Sequence, residues 1–410
     1  MKIRKSSIAA AVATLATGAM LAISTPAIAA TPTLLVWVDN ARKATFSAPI
    51  NSWAKDNGVT VTITGKDFGT LRDSLKTAVP AGTGPDIVLG VPHDWTGNLV
   101  AAGVLKPINF SAAVLNAMTP ASVGIFQSGG KQYGIPLYTE NIALVRNLKK
   151  APKAPTTGAQ IKNGELVIGY SPTNGDPYHF YPVQSSFGAP IFERTPKGWS
   201  STIGFGNEAG SKFAQYLATK GQAFFGKADF GWDNTVCGIK NGTIKYWITG
   251  PWAINALQEG NSKCATKDKP AVINKDFAVS AIPSFGGKTA QQFLGGKGGV
   301  LTNSPQTDVV LSTQLLTYLA GKEAGLNYFN EDKFPPANKA ALAIAESDPV
   351  IKAFAAAGKN AVPMPNNALM DTVWDRMGKT EAKILTGKST NPAADWKSMS
   401  QALTDVLTSK

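Results

Sequence analysis

From Thr33 to Leu89 the chain switches repeatedly between a strand-like and a helix-like hydrophobic period, and that alternation narrows the choice of fold more than any other feature. Thr33 to Val38 is a run of apolar and β-branched residues. Phe46, Ile50 and Trp53 follow at helical spacing, and Asn57-Gly58 stops that helix. Val59 to Thr64 alternates β-branched residues, Leu71 to Val79 reads as a helix, and Asp86 to Leu89 reads as a buried strand behind the breaker Gly82-Thr83-Gly84-Pro85. Strand, helix, strand, helix, strand implies an α/β layer with a largely parallel sheet.

A second set of elements begins beyond the proline-rich stretch Ala151 to Pro155. It comprises a strand over Leu166 to Tyr170, a helix over Ala209 to Thr219 and a strand over Ile244 to Thr249. From Ala337 onward the pattern is mostly helical, punctuated by Pro349, Pro363, Pro365 and Pro392. The first thirty residues stand apart. Lys2, Arg4 and Lys5 precede the apolar run Ile8 to Ile23, and Pro26 and Ala27-Ile28-Ala29 come after it, which predicts a secretory leader over residues 1–29. About 380 residues then remain, more than one core usually organises, so two domains are expected. No later segment approaches the roughly 20 uninterrupted apolar residues that a membrane span needs. The expectation is a protein released from the cell or into a periplasm, with no cysteine near Ala29 to take a lipid anchor.

The formal net charge is +13, of which Lys2, Arg4 and Lys5 contribute three. The remainder is scattered as single lysines or pairs such as Lys149-Lys150, without the basic stripe or module that nucleic acid binding requires. After export, the only two cysteines, Cys237 and Cys264, meet an oxidising compartment, where a structural bridge is expected over two separate thiols. Catalytic templates are missing. HExxH, GxSxG and GxxxxGK[ST] do not occur, and Gly295-Gly296-Lys297-Gly298-Gly299 does not fit the dinucleotide pattern. With two histidines far apart, His93 and His179, and both cysteines bridged, a metal site lacks ligands, and no cofactor is expected.

Carboxylates remain. Asp39, Asp94, Glu140 and Asp176 could pair across a sugar bond as in a glycosidase, and they could equally bind sugar without cleaving it. Carboxylates accept hydrogen bonds from sugar hydroxyls, while aromatic rings cover the apolar C–H faces of a pyranose. Nine tryptophans suit that task, although a tryptophan is as readily a core residue.

Several stretches, taken in order, resemble the maltose/maltodextrin-binding proteins among the extracellular solute-binding proteins of ATP-binding-cassette importers. They are Thr83-Gly84-Pro85-Asp86-Ile87-Val88, Pro92-His93-Asp94, Ala102-Gly103-Val104-Leu105-Lys106-Pro107-Ile108, and Gly134-Ile135-Pro136-Leu137-Tyr138-Thr139-Glu140-Asn141 with Ile142-Ala143-Leu144. Asp176-Pro177-Tyr178, Thr249-Gly250-Pro251-Trp252 and Phe293-Leu294-Gly295-Gly296 complete the set. The resemblance implies a periplasmic-binding-protein-like (type II) fold, two α/β lobes joined by a hinge of three crossings, with a ligand cleft between them. Residues 30–138 and 287–332 would form the first lobe, and 142–280 and 338–410 the second. Hinge segments would fall near 138–141, 280–286 and 331–338.

Carried over residue by residue, the family's sugar contacts imply that Asp94 accepts sugar hydroxyls, with a helix N-cap as the rival role, and that His93 packs behind it. Glu140 would bind a central hydroxyl, and Asp39 and Arg42 match a polar region of the cleft loosely. Tyr178, Trp252 and Trp374 align with stacking aromatics, with Trp232 near another. Core packing is the competing role for each, and Met370 and Met377 could share the helix face of Trp374. Asp176 takes the place of an acidic residue. Trp95 stands where the family has an arginine, exchanging a forked cation for an apolar face with one N–H. The chain is also shortened between Arg146 and Ile168. The resemblance therefore implies a monomeric receptor, no enzyme, that captures a maltose-like oligosaccharide for the membrane subunits of an importer. Another oligosaccharide (trehalose, sucrose or a β-linked sugar) is the alternative, and a secreted glycosidase a remoter one.

Overall fold

The computed structural model describes residues 31–195, 198–259, 264 and 269–408; the expected leader lies outside the described residues. Strand β1 (Thr33–Asp39) presents Leu34, Val36 and Val38 to one side and Trp37 to the other, all of them buried. Helix α1 (Lys43–Asn57) covers the first side with Phe46, Ile50 and Trp53, the three residues whose spacing predicts it. Pro49 lies inside α1 and cannot donate to the Thr45 carbonyl; Asn327 Nδ2 takes that carbonyl instead, at 2.8 Å. Gly58 ends the helix with φ +63°, a conformation that favours glycine. Strand β2 (Thr60–Lys66) runs parallel to β1. Helix α2 (Phe68–Ala78), capped by Asp67, packs Leu71 and Leu75 on the side where Trp37 points. Strand β3 (Ile87–Pro92) is buried throughout and runs parallel to β1 on its other edge, and α3 (Trp95–Ala101) comes after it.

Strand β4 (Gly134–Asn141) belongs to the same sheet, whereas β5 (Ala143–Asn147), one residue later, belongs to another. The second layer goes on with β6 (Leu166–Val167), α4 (Pro177–Ser186), α5 (Glu208–Phe225), α6 (Trp232–Asn241), β7 (Tyr246–Thr249) and β8 (Phe277–Ser280). Its sheet has the order β8-β5-β7-β6. The strand expected over Leu166 to Tyr170 shrinks to two residues because the Ile168 N–H leaves the ladder for the Phe225 carbonyl at 3.0 Å. Cys237 and Cys264 form the expected disulfide, tying α6 to the segment after it.

The chain returns to the first sheet as β9 (Phe293–Leu301), antiparallel to both β3 and β4. Helices α7 (Val309–Leu319), α8 (Lys322–Asp332) and α9 (Lys339–Ala345) come next. Residues 334–337 run beside β4, with the Thr139 N–H on the Pro335 carbonyl at 2.9 Å, and α9 packs on α8. Segment 339–345, expected with the second lobe, therefore rides on the first. The passage back lies between α9 and α10 (Pro349–Ala357), which packs Val350 and Phe354 beneath the second sheet. Strand β10 (Val362–Pro363) then joins β9 at its start, completing the order β10-β9-β3-β1-β2 with β4 also on β9. Helices α11 (Met370–Leu385) and α12 (Pro392–Thr408) close the second core. The result is two α/β lobes, each sheet covered on both faces. Among the described residues no helix is long and apolar enough to cross a membrane.

Helix α11 carries one misfit, Glu381, which is 0% exposed and whose two carboxylate oxygens have no hydrogen-bond partner among the described residues. Burial, and then the charge of Asp176, pushes its pKa well above the usual carboxylate range. A carboxyl with a raised folded-state pKa favours the fold while protonated, and that contribution is lost as pH rises from the unfolded value through the folded one. Glu381→Gln, neutral at every pH, should match the wild type in thermal stability near pH 4 and exceed it at pH 8. Melting curves across that range test this, and parallel pH profiles would contradict it.

Candidate functional site

The two lobes enclose a cavity of about 920 Å³. Its first wall begins where β1 ends. The Asp39 carboxylate accepts the Ala41 N–H at 3.1 Å and pairs with Arg42, fixing a short turn at the rim. Arg42 also lies over the Phe334 ring, 5.4 Å from its centre. At the end of β3, His93 is fully buried; its Nδ1 accepts the Gly296 N–H at 3.1 Å and its Nε2 donates to the Met364 carbonyl at 2.9 Å. It is a packing residue, in line with the expectation. Asp94 occupies the N-cap position of α3 but makes no capping bond there; its Oδ2 instead accepts the Trp374 indole N–H at 2.9 Å, across the cleft. Burial raises the Asp94 pKa, and the indole hydrogen bond opposes the rise.

Trp95 stacks on Phe68 (5.2 Å between centres, planes 29° apart), and the Arg72 guanidinium sits 5.5 Å from its ring. Arg72 and Lys76, on the exposed turns of α2, both reach Asp371 on α11, the lysine at 3.3 Å. The two lobes thus touch across the cleft mouth through charge.

Glu140 and Lys297 form the floor. Glu140 lies on β4 opposite Gly295 of β9, and Lys297 is two residues further along. Both side chains are buried, with Oε1 to Nζ 3.9 Å. Glu140 Oε2 has no hydrogen-bond partner among the described residues. Burial lowers the Lys297 pKa, with Glu140 opposing, and the ammonium lies 5.0 Å from the centre of the Phe68 ring.

The second wall comes from the start of α4, where Asp176 caps the helix by accepting the His179 N–H at 3.1 Å and holds His179 Nδ1 at 2.7 Å. That capping accounts for Pro177 at the first helical position. Tyr178 lies in near-parallel orientation with Phe293, and its buried hydroxyl has no hydrogen-bond partner among the described residues. Trp252 stands edge-on to His179, 5.8 Å away, folded over Gly250, where any Cβ would collide with the indole. On α11, Met370, Val373 and Met377 make the buried stripe, while Asp371, Trp374 and Asp375 face the cavity. Trp374 sits at the border of the two, lining the cavity while packing against the core that holds Met370 and Met377.

Asp39, Arg42, Asp94, Trp95, Glu140, Asp176, Tyr178, Trp252 and Trp374 all line this one cavity. Trp232 does not. It is 44% exposed, edge-on to Trp247, and lines a smaller cavity of about 320 Å³ that shares Asp176, His179 and Trp252 with the main one. The cavity also uses Phe68, Arg72, His179, Lys297 and Asp371, to which sequence motifs assign no sugar contact. Two of the signals are nonetheless local: Phe68 and Arg72 are four residues apart on one helix face, and Lys297 is the sole charge in a glycine run.

Residues 48–358 match the family described as bacterial extracellular solute-binding protein. A maltooligosaccharide ABC transporter solute-binding lipoprotein of Streptococcus pneumoniae is 26% identical over 83% of this chain and 81% of its own length. A galactooligosaccharide-binding protein of Bacillus subtilis is 25% identical over 87% and 85%. A cyclo/maltodextrin-binding protein solved with maltotetraose superposes with TM-score 0.71 at 25% identity, over 92% of this chain and 98% of that one.

The charged contact across the cleft mouth is itself testable. Asp371 and its partners are partly exposed, so the contact contributes about 1 kcal/mol, roughly fivefold in the ratio of closed to open forms. Asp371→Asn should give a larger radius of gyration than the wild type in small-angle scattering at low salt, and the difference should vanish in molar salt. Equal radii at low salt would show that the contact does not hold the lobes together.

Proposed function

The chain belongs to the bacterial extracellular solute-binding proteins, and from that premise we propose that it captures a maltodextrin-type oligosaccharide in the interlobe cleft and delivers it to the membrane subunits of an ATP-binding-cassette importer. The observation that carries this reading is the composition of the cavity wall. Aromatic faces from both lobes, Phe68, Trp95, Tyr178, Trp252 and Trp374, surround the buried carboxylates of Asp39, Asp94 and Glu140, the last with an oxygen that has no partner among the described residues. An oligosaccharide offers the complement, apolar ring faces bordered by hydroxyl donors. The names of the pneumococcal relative and of the maltotetraose complex support the α-linked assignment.

Binding alone accounts for the machinery. Asp39 is tied to Arg42, Asp176 to His179 and Asp94 to Trp374, so these carboxylates are held as fixed acceptors rather than as a mobile acid and base. Ligand that touches both walls favours the closed arrangement, and the importer would read the closed surface. We put the hinge at 141–143, 281–292 and 346–348, where the chain changes sheet or packing layer, in place of the segments near 138–141, 280–286 and 331–338 that the resemblance implies. The leader-like residues 1–29 support export, and a single cleft complete within one chain supports a monomer. The galactooligosaccharide-binding relative, together with Trp95 in place of the family's arginine, favours a second reading in which the sugar has another linkage.

Calorimetric titration of the mature protein with maltose, maltotriose and longer α-1,4-glucans, against trehalose, sucrose and cellobiose, separates these readings. Saturable binding to the α-1,4 series is expected, with the sugar intact after prolonged incubation. Trp252→Ala should weaken it about 10- to 100-fold, the loss of one stacking face and its buried area. Binding to a β-linked sugar alone would move the assignment to the second reading, and released glucose would overturn the non-catalytic one.

A further inference from the structure

The floor of the cleft holds polar groups in an arrangement that a water-like or sugar-like hydroxyl would complete. Glu140 Oε2 and the Tyr178 hydroxyl are both buried and both lack a hydrogen-bond partner among the described residues. Both residues line the cavity and border the space beside Gly295: a Cβ built there would lie 3.3 Å from Glu140 Cγ and 3.6 Å from the Tyr178 hydroxyl. Glycine at 295 keeps that void open. Lys297 approaches from the same strand, and its Nζ stands 3.9 Å from Glu140 Oε1, too long for a hydrogen bond.

We infer that Lys297 is a ligand-reading residue: its ammonium, the Glu140 carboxylate and the Tyr178 hydroxyl form a seat for one sugar hydroxyl, and that seat selects neutral polyols over charged ligands. The chemistry follows from what each group can do. A carboxylate only accepts and an ammonium only donates. An atom that satisfies both must donate and accept at once, as a hydroxyl does. A hydroxyl oxygen at the usual distance of about 2.8 Å from each fits across a 3.9 Å gap. A carboxylate group has no proton for Glu140 at neutral pH and is repelled by it. An ammonium group has no lone pair for Lys297 and is likewise repelled. The pKa directions agree, since burial lowers that of Lys297 and raises that of Tyr178 well above the usual range, as expected of groups stripped of water.

This assignment rests on the sugar-binding reading, and its test must separate a lysine that touches sugar from one that merely neutralises Glu140. A double-mutant cycle does so. Maltotriose is titrated calorimetrically into the wild type, Lys297→Met, Glu140→Gln and the double variant, with melting curves of each sugar-free protein alongside. Lys297→Met should weaken binding 10- to 100-fold, and in the Glu140→Gln background it should still weaken binding at least fivefold, because the ammonium–hydroxyl bond is lost either way. The double variant buries no unpaired charge, so it keeps the test informative if Lys297→Met folds poorly. A lysine substitution without effect in the Glu140→Gln background would reduce Lys297 to a neutralising partner and overturn the inference, with the sugar-binding reading intact. A wild type that binds neither maltotriose nor any other neutral oligosaccharide would overturn the sugar-binding reading itself, and this assignment with it. If only a different neutral oligosaccharide binds, the same cycle run with that sugar decides.

Discussion

The close approach of three backbones, β3, β9 and β4, is the constraint on which the site depends. Strand β9 lies antiparallel between the other two, and its glycines let neighbouring residues close onto it: a Cβ on Gly298 would strike the Ile135 carbonyl and Phe126, one on Gly299 would strike Leu316, and one on Gly296 would strike Ile125. Helices and loops of the first lobe press on the strand from both faces. With side chains excluded there, the residues that remain on β9 carry the chemistry. Lys297 is the one long side chain in the run, and Gly295 leaves an opening on the cleft side. The same ladder pairs Glu140 with Gly295, so the carboxylate and the ammonium come to one floor through strand register and need no loop to hold them. His93, bonded to Gly296 on one nitrogen and to Met364 on the other, then fixes the distance from this ladder to the segment leading into α11.

From that floor the charges are arranged by degrees of neutralisation. At the rim, Asp39 with Arg42 and Asp176 with His179 are ion-paired or hydrogen-bonded within a single turn, and each also organises the local backbone, Asp39 through the Ala41 N–H and Asp176 through the start of α4. Asp94 and Trp374, one from each lobe, satisfy each other only when the lobes are near. Glu140 and Lys297 are close without being bonded. Burying polar groups short of partners costs free energy that a packed core would not tolerate without compensation. On the proposed reading the compensation would arrive with the ligand, which would make the incomplete pairing a source of affinity and couple binding to closure.

Much of this is legible in the sequence. The first layer's strands and helices fall where hydrophobic period and the breakers Asn57-Gly58 and Gly82-Thr83-Gly84-Pro85 put them, because each element buries its own face against its neighbour in the chain. The second layer is less legible. β6 is two residues long because Ile168 turns to a helix end more than fifty residues away, a pairing no local pattern records. A proline inside a helix removes one backbone hydrogen bond, and at Pro49 the carbonyl left free is taken by Asn327, nearly three hundred positions later. The site obeys the same rule. Residues inside recognisable motifs, such as Asp94, Glu140, Tyr178 and Trp252, can be picked out as cavity candidates from sequence, Arg72 and Lys297 leave only faint local signals, and His179 and Asp371 acquire their place from tertiary packing or from the meeting of two lobes.

Trp95 shows how a local departure from a family pattern is absorbed by the surrounding structure. Where the resemblance places an arginine, the indole stacks on Phe68 at an incline, extending the apolar platform on the first wall, and Arg72 brings a guanidinium alongside from α2. The positive charge is thus not lost from the cleft but moved from α3 to α2, one helix earlier in the chain. Its work changes with its position. Arg72 is committed to Asp371 on the opposite lobe, so the guanidinium that would serve a sugar directly here serves the approach of the lobes. This wall offers mainly aromatic faces, and the polar groups of the cleft gather at Asp94 and at the Glu140–Lys297 floor. Stacking on broad apolar faces tolerates variation in linkage more than a forked donor does, so on the proposed reading selectivity in this cleft would fall mainly to its floor.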